Sequence, residues 1–181
     1  MSGDEGVEER APAEVTALAP LVALAARIQS TMIERGLTLA TAESCTGGLV
    51  GHLLTETSGS SGYYVGGLIS YSDELKKQHL GVETGTLERH GAVSAQTCMA
   101  MAEGARSRYG ASLGLAITGI AGPDGGSAQK PVGLTYVGVA DSAGHDVRRN
   151  VWHAERHANK VHSAQAALLL LLERLGVSAE H

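Results

Sequence analysis

The sequence predicts an α/β protein built on a mixed sheet of about five strands, and three observations carry that reading. Short apolar runs of strand length alternate with longer segments that repeat apolar residues at helical spacing, the pattern of layered α/β folds. The last two strand-like runs are separated only by Asp141-Ser-Ala-Gly144, a hairpin signal that makes the sheet mixed. Hydrophobic residues are 43% of the 181 and charged residues 18%, a composition that folds.

The elements follow in order. Residues 1–13 combine Gly, Pro and acids without apolar periodicity and are expected to form a disordered tail ahead of a single domain over residues 14–181. Leu18, Leu21, Leu24, Ala25, Ile28 and Met32 predict a helix over 17–35, closed by Gly36. A buried strand over 37–42 runs into Glu43-Ser-Cys-Thr-Gly-Gly48 and a helix over 49–55. A second strand covers 64–71, and a short helix over 73–80 has acids first and lysines later, as the helix dipole favours. Ser94 opens a helix to about Tyr109. Strands are expected over 113–118, 132–140 and 145–153, and a long helix over 155–175 closes the chain.

Composition excludes several functions. With one Trp, five Tyr and no Phe, aromatic platforms for stacked bases are scarce. A net charge of −5 offers no basic field to a phosphodiester backbone, so nucleic acid is not an expected partner. No apolar run reaches the roughly 18 residues of a membrane span, and the acidic N-terminus is unlike a secretion signal. The chain is expected to reside in the cytoplasm, with Cys45 and Cys98 as reduced thiols.

Three segments follow strands and are rich in groups that do chemistry. In Glu43–Gly48, Ser44 and Cys45 are adjacent nucleophiles, and glycines permit close backbone approach at the start of a helix, where N–H groups bind anions. Ser44 or Thr46 as an ordinary N-cap is the bland alternative. In Tyr71-Ser-Asp-Glu-Leu-Lys-Lys77, Tyr71 ends a strand and Lys76 lies about one helical turn further on; a desolvated lysine serves as a base, whereas two solvated lysines would do nothing. In Thr118-Gly-Ile-Ala-Gly-Pro-Asp-Gly-Gly-Ser127, the glycines suit a loop against a ligand or a flexible connector. Neither a P-loop, nor GxGxxG, nor the GxSxG elbow is present. His153 and His157 have i, i+4 spacing, but HAERH is not HExxH, and no metal site is expected.

Together these stretches resemble the CinA C-terminal domain family, from about Leu21 to Leu175, through TAESCTGGLV (41–50), GSSGYYVGGLISYSDELKKQHLGV (59–82), HGAVSAQTCMAMAEGA (90–105) and TGIAGPDGGSAQKPVGLTYVGVA (118–140). The resemblance implies a three-layer α/β/α fold with a mostly parallel sheet, a homodimer or higher homo-oligomer, and no metal or other cofactor. It implies deamidation of nicotinamide mononucleotide to nicotinate mononucleotide and ammonia. By motif it assigns Ser44 as nucleophile, Tyr71 and Lys76 as proton-handling partners, and Thr118, Gly119 and Gly122 as substrate contacts. Cys45, Thr46, Gly47 and Gly48 would line the same site, the last two offering amides to an oxyanion. Arg156 would hold the phosphate or the carboxamide, although the family's Gly-Asp before this arginine is Ala154-Glu155 here. The competing class is a non-catalytic nucleotide-binding module linked to competence or DNA damage, and a different nicotinamide or nucleotide amide as substrate is a further alternative.

Overall fold

The computed structural model describes residues 18–178; the expected N-terminal tail lies outside them. Helix α1 (Ala19–Glu34) buries Leu21, Ala25, Ile28 and Met32 along one stripe. Gly36, at φ +63°, then turns the chain, and the Leu37 amide donates back to Met32. Strand β1 (Leu39–Glu43) is buried throughout, and α2 (Leu49–Thr55) follows. Then come β2 (Tyr64–Ile69), α3 (Asp73–Leu80), α4 (Thr84–His90), α5 (Ala95–Arg108), β3 (Leu113–Gly119), β4 (Leu134–Asp141), β5 (Gly144–Val151) and α6 (Arg156–Arg174).

The sheet has five strands in the order β2-β1-β3-β4-β5. β1 pairs in parallel with both β2 and β3, whereas β3–β4 and β4–β5 are antiparallel. Four strands therefore share one direction and β4 alone runs against them, the expected mixed and mostly parallel arrangement.

The two faces are built from different residues. Leu39, Leu113, Leu115, Ile117, Val137 and Val139 meet α1, α2 and α6 in a leucine-rich layer. Ala40, Ala42, Ala116 and Ala140 meet α3 and α5 on the other face. That face has almost no side-chain depth, so α5 lies nearly on the backbone: a Cβ on Gly114 would stand 2.0 Å from the Ala102 carbonyl oxygen, and one on Gly104 2.0 Å from that of Leu80.

Several boundaries differ from those the sequence predicts. α4 was not expected: it buries no residue and has no apolar stripe, and only Leu87 leans on the core. β4 begins at Leu134 rather than 132, because Gly133 takes φ +85° against the Trp152 carbonyl, where a Cβ would stand 1.9 Å from the oxygen. β2 ends at Ile69, which leaves Ser70 and Tyr71 in the turn before α3. Among the described residues no helix is long and apolar enough to cross a membrane.

Candidate active site

The parallel trio β2, β1 and β3 ends on one edge, and the segments leaving it surround a cavity of about 260 Å³. Its lining brings together Ser44 and Cys45 after β1, Tyr71 and Lys76 after β2, Thr118 and Gly119 at the end of β3 with residues 120–122 beyond it, and Arg156 at the start of α6. This is the position at which open α/β sheets hold ligands.

The turn after β1 is organised by a residue that the sequence reading passed over. Glu43 is 2% exposed, and its carboxylate accepts from the N–H groups of Gly48 (3.0 Å), Val50 (3.2 Å) and Gly51 (2.8 Å). A protein carboxylate thus fills the N-terminus of α2, which satisfies the free donors there and suits the helix dipole. This corrects the expectation that the Gly47 and Gly48 amides receive a substrate oxyanion: Gly48 donates to Glu43, Gly47 donates to the Ser44 carbonyl at 3.2 Å, and neither lines the cavity. Thr46 does not line it either, and its buried hydroxyl has no hydrogen-bond partner among the described residues. Neither Ser44 nor Thr46 is an N-cap, a place Gly48 takes at φ +99°. The signal in the sequence was an acid five residues ahead of a Gly-Gly helix start, a spacing that no common capping motif covers.

Ser44 is 8% exposed, and among the described residues its Oγ makes no hydrogen bond, although its amide is fixed to the Ile117 carbonyl at 2.9 Å. The Cys45 and Thr46 amides, likewise, donate to no oxygen among the described residues. Burial pushes the Cys45 thiol up to about 12, opposed first by a hydrogen bond from its own backbone amide and then, more weakly, by the positive fields of Lys160 and Arg156. Burial thus favours the neutral thiol of Cys45 over the reactive thiolate.

Lys76 is 1% exposed although it lies on a short surface helix. Its Nζ donates to the carbonyls of Ser70 (2.9 Å) and Tyr71 (3.4 Å). Burial lowers its proton affinity below that of an ordinary lysine, and the Asp73 carboxylate, 3.7 Å away, opposes the shift. Lys76 thus has an acid, Asp73, beside it, and its amine donates to the two carbonyls with no direct hydrogen bond to Ser44 among the described residues. Lys77 points outward and pairs with Glu74 at 2.5 Å.

Tyr71 is 60% exposed, and its hydroxyl accepts from Arg156 Nη2 at 3.3 Å. Arg156 also donates to the Gly122 carbonyl at 2.6 Å and so ties the glycine loop to α6. Thr118 Oγ1 donates to the Ala92 carbonyl at 2.8 Å and acts on loop position. Asn159 is a second residue that sequence reasoning missed. Buried to 1%, it donates to the Ala121 and Ala154 carbonyls at 3.0 and 2.8 Å and accepts from the Ala154 amide at 3.2 Å. This clamp holds the Ala154-Glu155 turn and keeps Arg156 at the cavity. Among the described residues no group of three or more His, Cys, Asp or Glu side chains is placed to hold a metal ion. His153 precedes α6, so it does not share a helical face with His157.

A small α/β domain with a serine and a buried lysine in one strand-end pocket is the class these features define. Residues 21–175 match the model of the CinA C-terminal domain, and the chain belongs to that family. It is 51% identical over 142 residues to a CinA-like protein of Geobacter sulfurreducens, covering 78% of this chain and 34% of that protein. A CinA-like protein of Chlorobaculum tepidum is 47% identical over 153 residues, with coverages of 82% and 36%. The chain thus spans about a third of the length of the curated relatives it matches. The crystal structure of the competence/damage inducible protein CihA from Agrobacterium tumefaciens superposes with a TM-score of 0.84 at 40% identity, covering 87% of this chain and 96% of that one. A CinA superfamily protein from Klebsiella pneumoniae gives 0.83 at 31% identity, with coverages of 86% and 98%.

Proposed function

We propose that this chain is an amidohydrolase that deamidates nicotinamide mononucleotide to nicotinate mononucleotide and ammonia. The observation that supports it best is the meeting, in one cavity of about 260 Å³, of a serine hydroxyl with no partner among the described residues and a buried lysine of lowered proton affinity. Amide hydrolysis asks for a nucleophile, a base that later protonates the leaving amine, and donors for the developing oxyanion.

Neutral Lys76 has two N–H groups for the Ser70 and Tyr71 carbonyls and keeps its lone pair as a base. Ser44 Oγ attacks the carboxamide carbon while its proton passes to Lys76 through one water. The same proton then goes to the departing ammonia, and a water hydrolyses the acyl-enzyme. With Gly47 and Gly48 engaged elsewhere, the Cys45 and Thr46 amides, next to the nucleophile and donating to no oxygen among the described residues, are the donors left to meet the oxyanion. Tyr71 and Arg156 form the outer wall, where they contact the ribose phosphate or the ring.

Incubation with nicotinamide mononucleotide, its riboside, nicotinamide and NAD, with ammonia and the acid product measured, tests the reading. The mononucleotide is expected to be consumed fastest. Binding of the mononucleotide without ammonia release would replace the amidase with a non-catalytic nucleotide-binding module. The same reading carries a homodimer or larger homo-oligomer, which sedimentation checks.

A further inference from the structure

The proposed substrate carries a phosphomonoester, and the usual place for one, a helix N-terminus, is closed after β1 because the Glu43 carboxylate fills it. No basic side chain pairs with Glu43 among the described residues, so its charge would repel a phosphate at that end. The anion has to be met elsewhere on the rim. Lys76 is spoken for by two carbonyls and Asp73.

Helix α6 presents two further cations one turn apart. Arg156 lines the cavity, and its guanidinium is held in place by Gly122 and Tyr71 while other N–H groups stay unbound. Lys160, half-buried, reaches over the turn after Ser44: its Nζ would stand 3.7 Å from a Cβ on Gly47. Among the described residues Lys160 makes no hydrogen bond and pairs with no carboxylate, nor does any carboxylate pair with Arg156. The fields of both cations reach the thiol of Cys45, which lines the cavity beside Ser44. An unpaired lysine with its stem half-buried, aimed at the Gly47 turn, is a cation without an anion.

We propose that Lys160 is the second cation of a subsite for the 5′-phosphomonoester of the substrate, above the turn formed by residues 45–47, and acts beside Arg156, to which the family resemblance already assigns a phosphate or carboxamide contact. The subsite rests on the amidase reading for the identity of the substrate and not for its own chemistry, which is recognition of a phosphomonoester by a fixed guanidinium fork and a point charge. It makes Lys160 the residue that separates the mononucleotide from its riboside.

The test uses the full chain with Lys160→Met and Lys160→Arg. In steady state, Lys160→Met is expected to raise KM for nicotinamide mononucleotide about 10- to 100-fold, the scale of one lost charge-assisted hydrogen bond, while kcat changes little. Lys160→Arg is expected to restore most of that loss, and KM for the riboside, which has no phosphate, should not move. Equal effects on both substrates, or none on the mononucleotide, would overturn the subsite. Calorimetry with ribose 5-phosphate separates it from the amidase reading. If the wild-type chain releases no ammonia yet binds ribose 5-phosphate about 10- to 100-fold more tightly than Lys160→Met, the subsite stands and the amidase falls. If the wild type does not bind it, or binds it no better than Lys160→Met, the subsite falls whatever the activity. Should Lys160→Met fail to fold, inorganic phosphate decides on the wild type alone: competition with the mononucleotide but not with the riboside is expected, and competition with neither or both overturns the assignment.

Discussion

The floor and the rim of the cavity are made differently. On the floor, Lys76 and Thr118 are 1% and 0% exposed, with Glu43, 2% exposed, behind the lining, and each polar head is bound to main-chain atoms. On the rim, Tyr71 is 60% exposed and Arg156 is exposed, with half-buried Lys160 one helical turn beyond the lining, and the rim contacts run between side chains or to one loop carbonyl. Buried polar groups must be satisfied by fixed partners, so the floor is held rigidly. Exposed groups keep conformational freedom and weaker fields. The floor is therefore the place for bond making and the rim for recognition, so floor variants should lower kcat and rim variants should raise KM.

The sharpest way to break that division is Ser44→Ala, expected to cut ammonia release by at least about three orders of magnitude with KM nearly unchanged. Cys45→Ala should stay folded and within about tenfold of wild type, because its thiol is held neutral. The reverse outcome would move the nucleophile by one residue. Next, Lys76→Met is expected to lower kcat about 10²- to 10⁴-fold, the range of a lost general base, while Lys77→Ala leaves it alone.

The floor also predicts a pH profile. Lys76 has to be neutral to act, and burial lowers its folded-state pKa, so the rate rises with pH through an inflection below the ordinary lysine value of about 10.4. Asp73→Asn removes the carboxylate that opposes the shift, so the inflection should move to lower pH. Because the folded state then binds its proton less well than the unfolded chain, this lysine makes stability rise with pH between the two pKa values. An inflection that moves upward in Asp73→Asn would contradict the assignment.

A smaller, purely structural effect belongs to Glu43. Glu43→Ala leaves three amides of α2 without acceptors and is expected to cost about 2–3 kcal/mol of stability in urea unfolding. The smallest effect is expected from EDTA: dialysis against it should leave turnover unchanged, and loss restored by zinc or magnesium would overturn the metal-free mechanism.

Much of this was legible from pattern alone. α1 and the buried strands announced themselves by apolar periodicity, and the three strand-end segments were visible as clusters of glycines and nucleophiles. α4 was not, because Thr84–His90 buries nothing and a helix without a stripe has no period to read. Ser44, Cys45, Tyr71, Lys76 and Thr118 line one cavity, as their places at strand ends suggested, and Arg156, singled out by resemblance alone, lines it too. Glu43, Asn159 and Lys160 escaped notice because no common sequence motif marks the contacts that each makes. Glu43 reads as the last residue of a strand, Asn159 as a polar residue inside a helix and Lys160 as a solvated charge. Only tertiary structure reveals that the first fills a helix end, the second ties two loops and the third leans over a turn.

The cavity draws its walls from five separate stretches of chain, near residues 44, 71–76, 92, 118–125 and 156, and none of them can hold a ligand alone. The unfolded chain therefore has no affinity to offer, and any small molecule that enters the pocket shifts the folding equilibrium by the full RT ln(1 + [L]/Kd), about 2.7 kcal/mol at a hundredfold excess over Kd. For a chain of this size that is a rise of several degrees in melting temperature. Melting curves recorded across a set of pyridine nucleotides would rank the natural occupants of the pocket without presuming any reaction, and would do so equally well with Ser44→Ala, in which nothing is consumed.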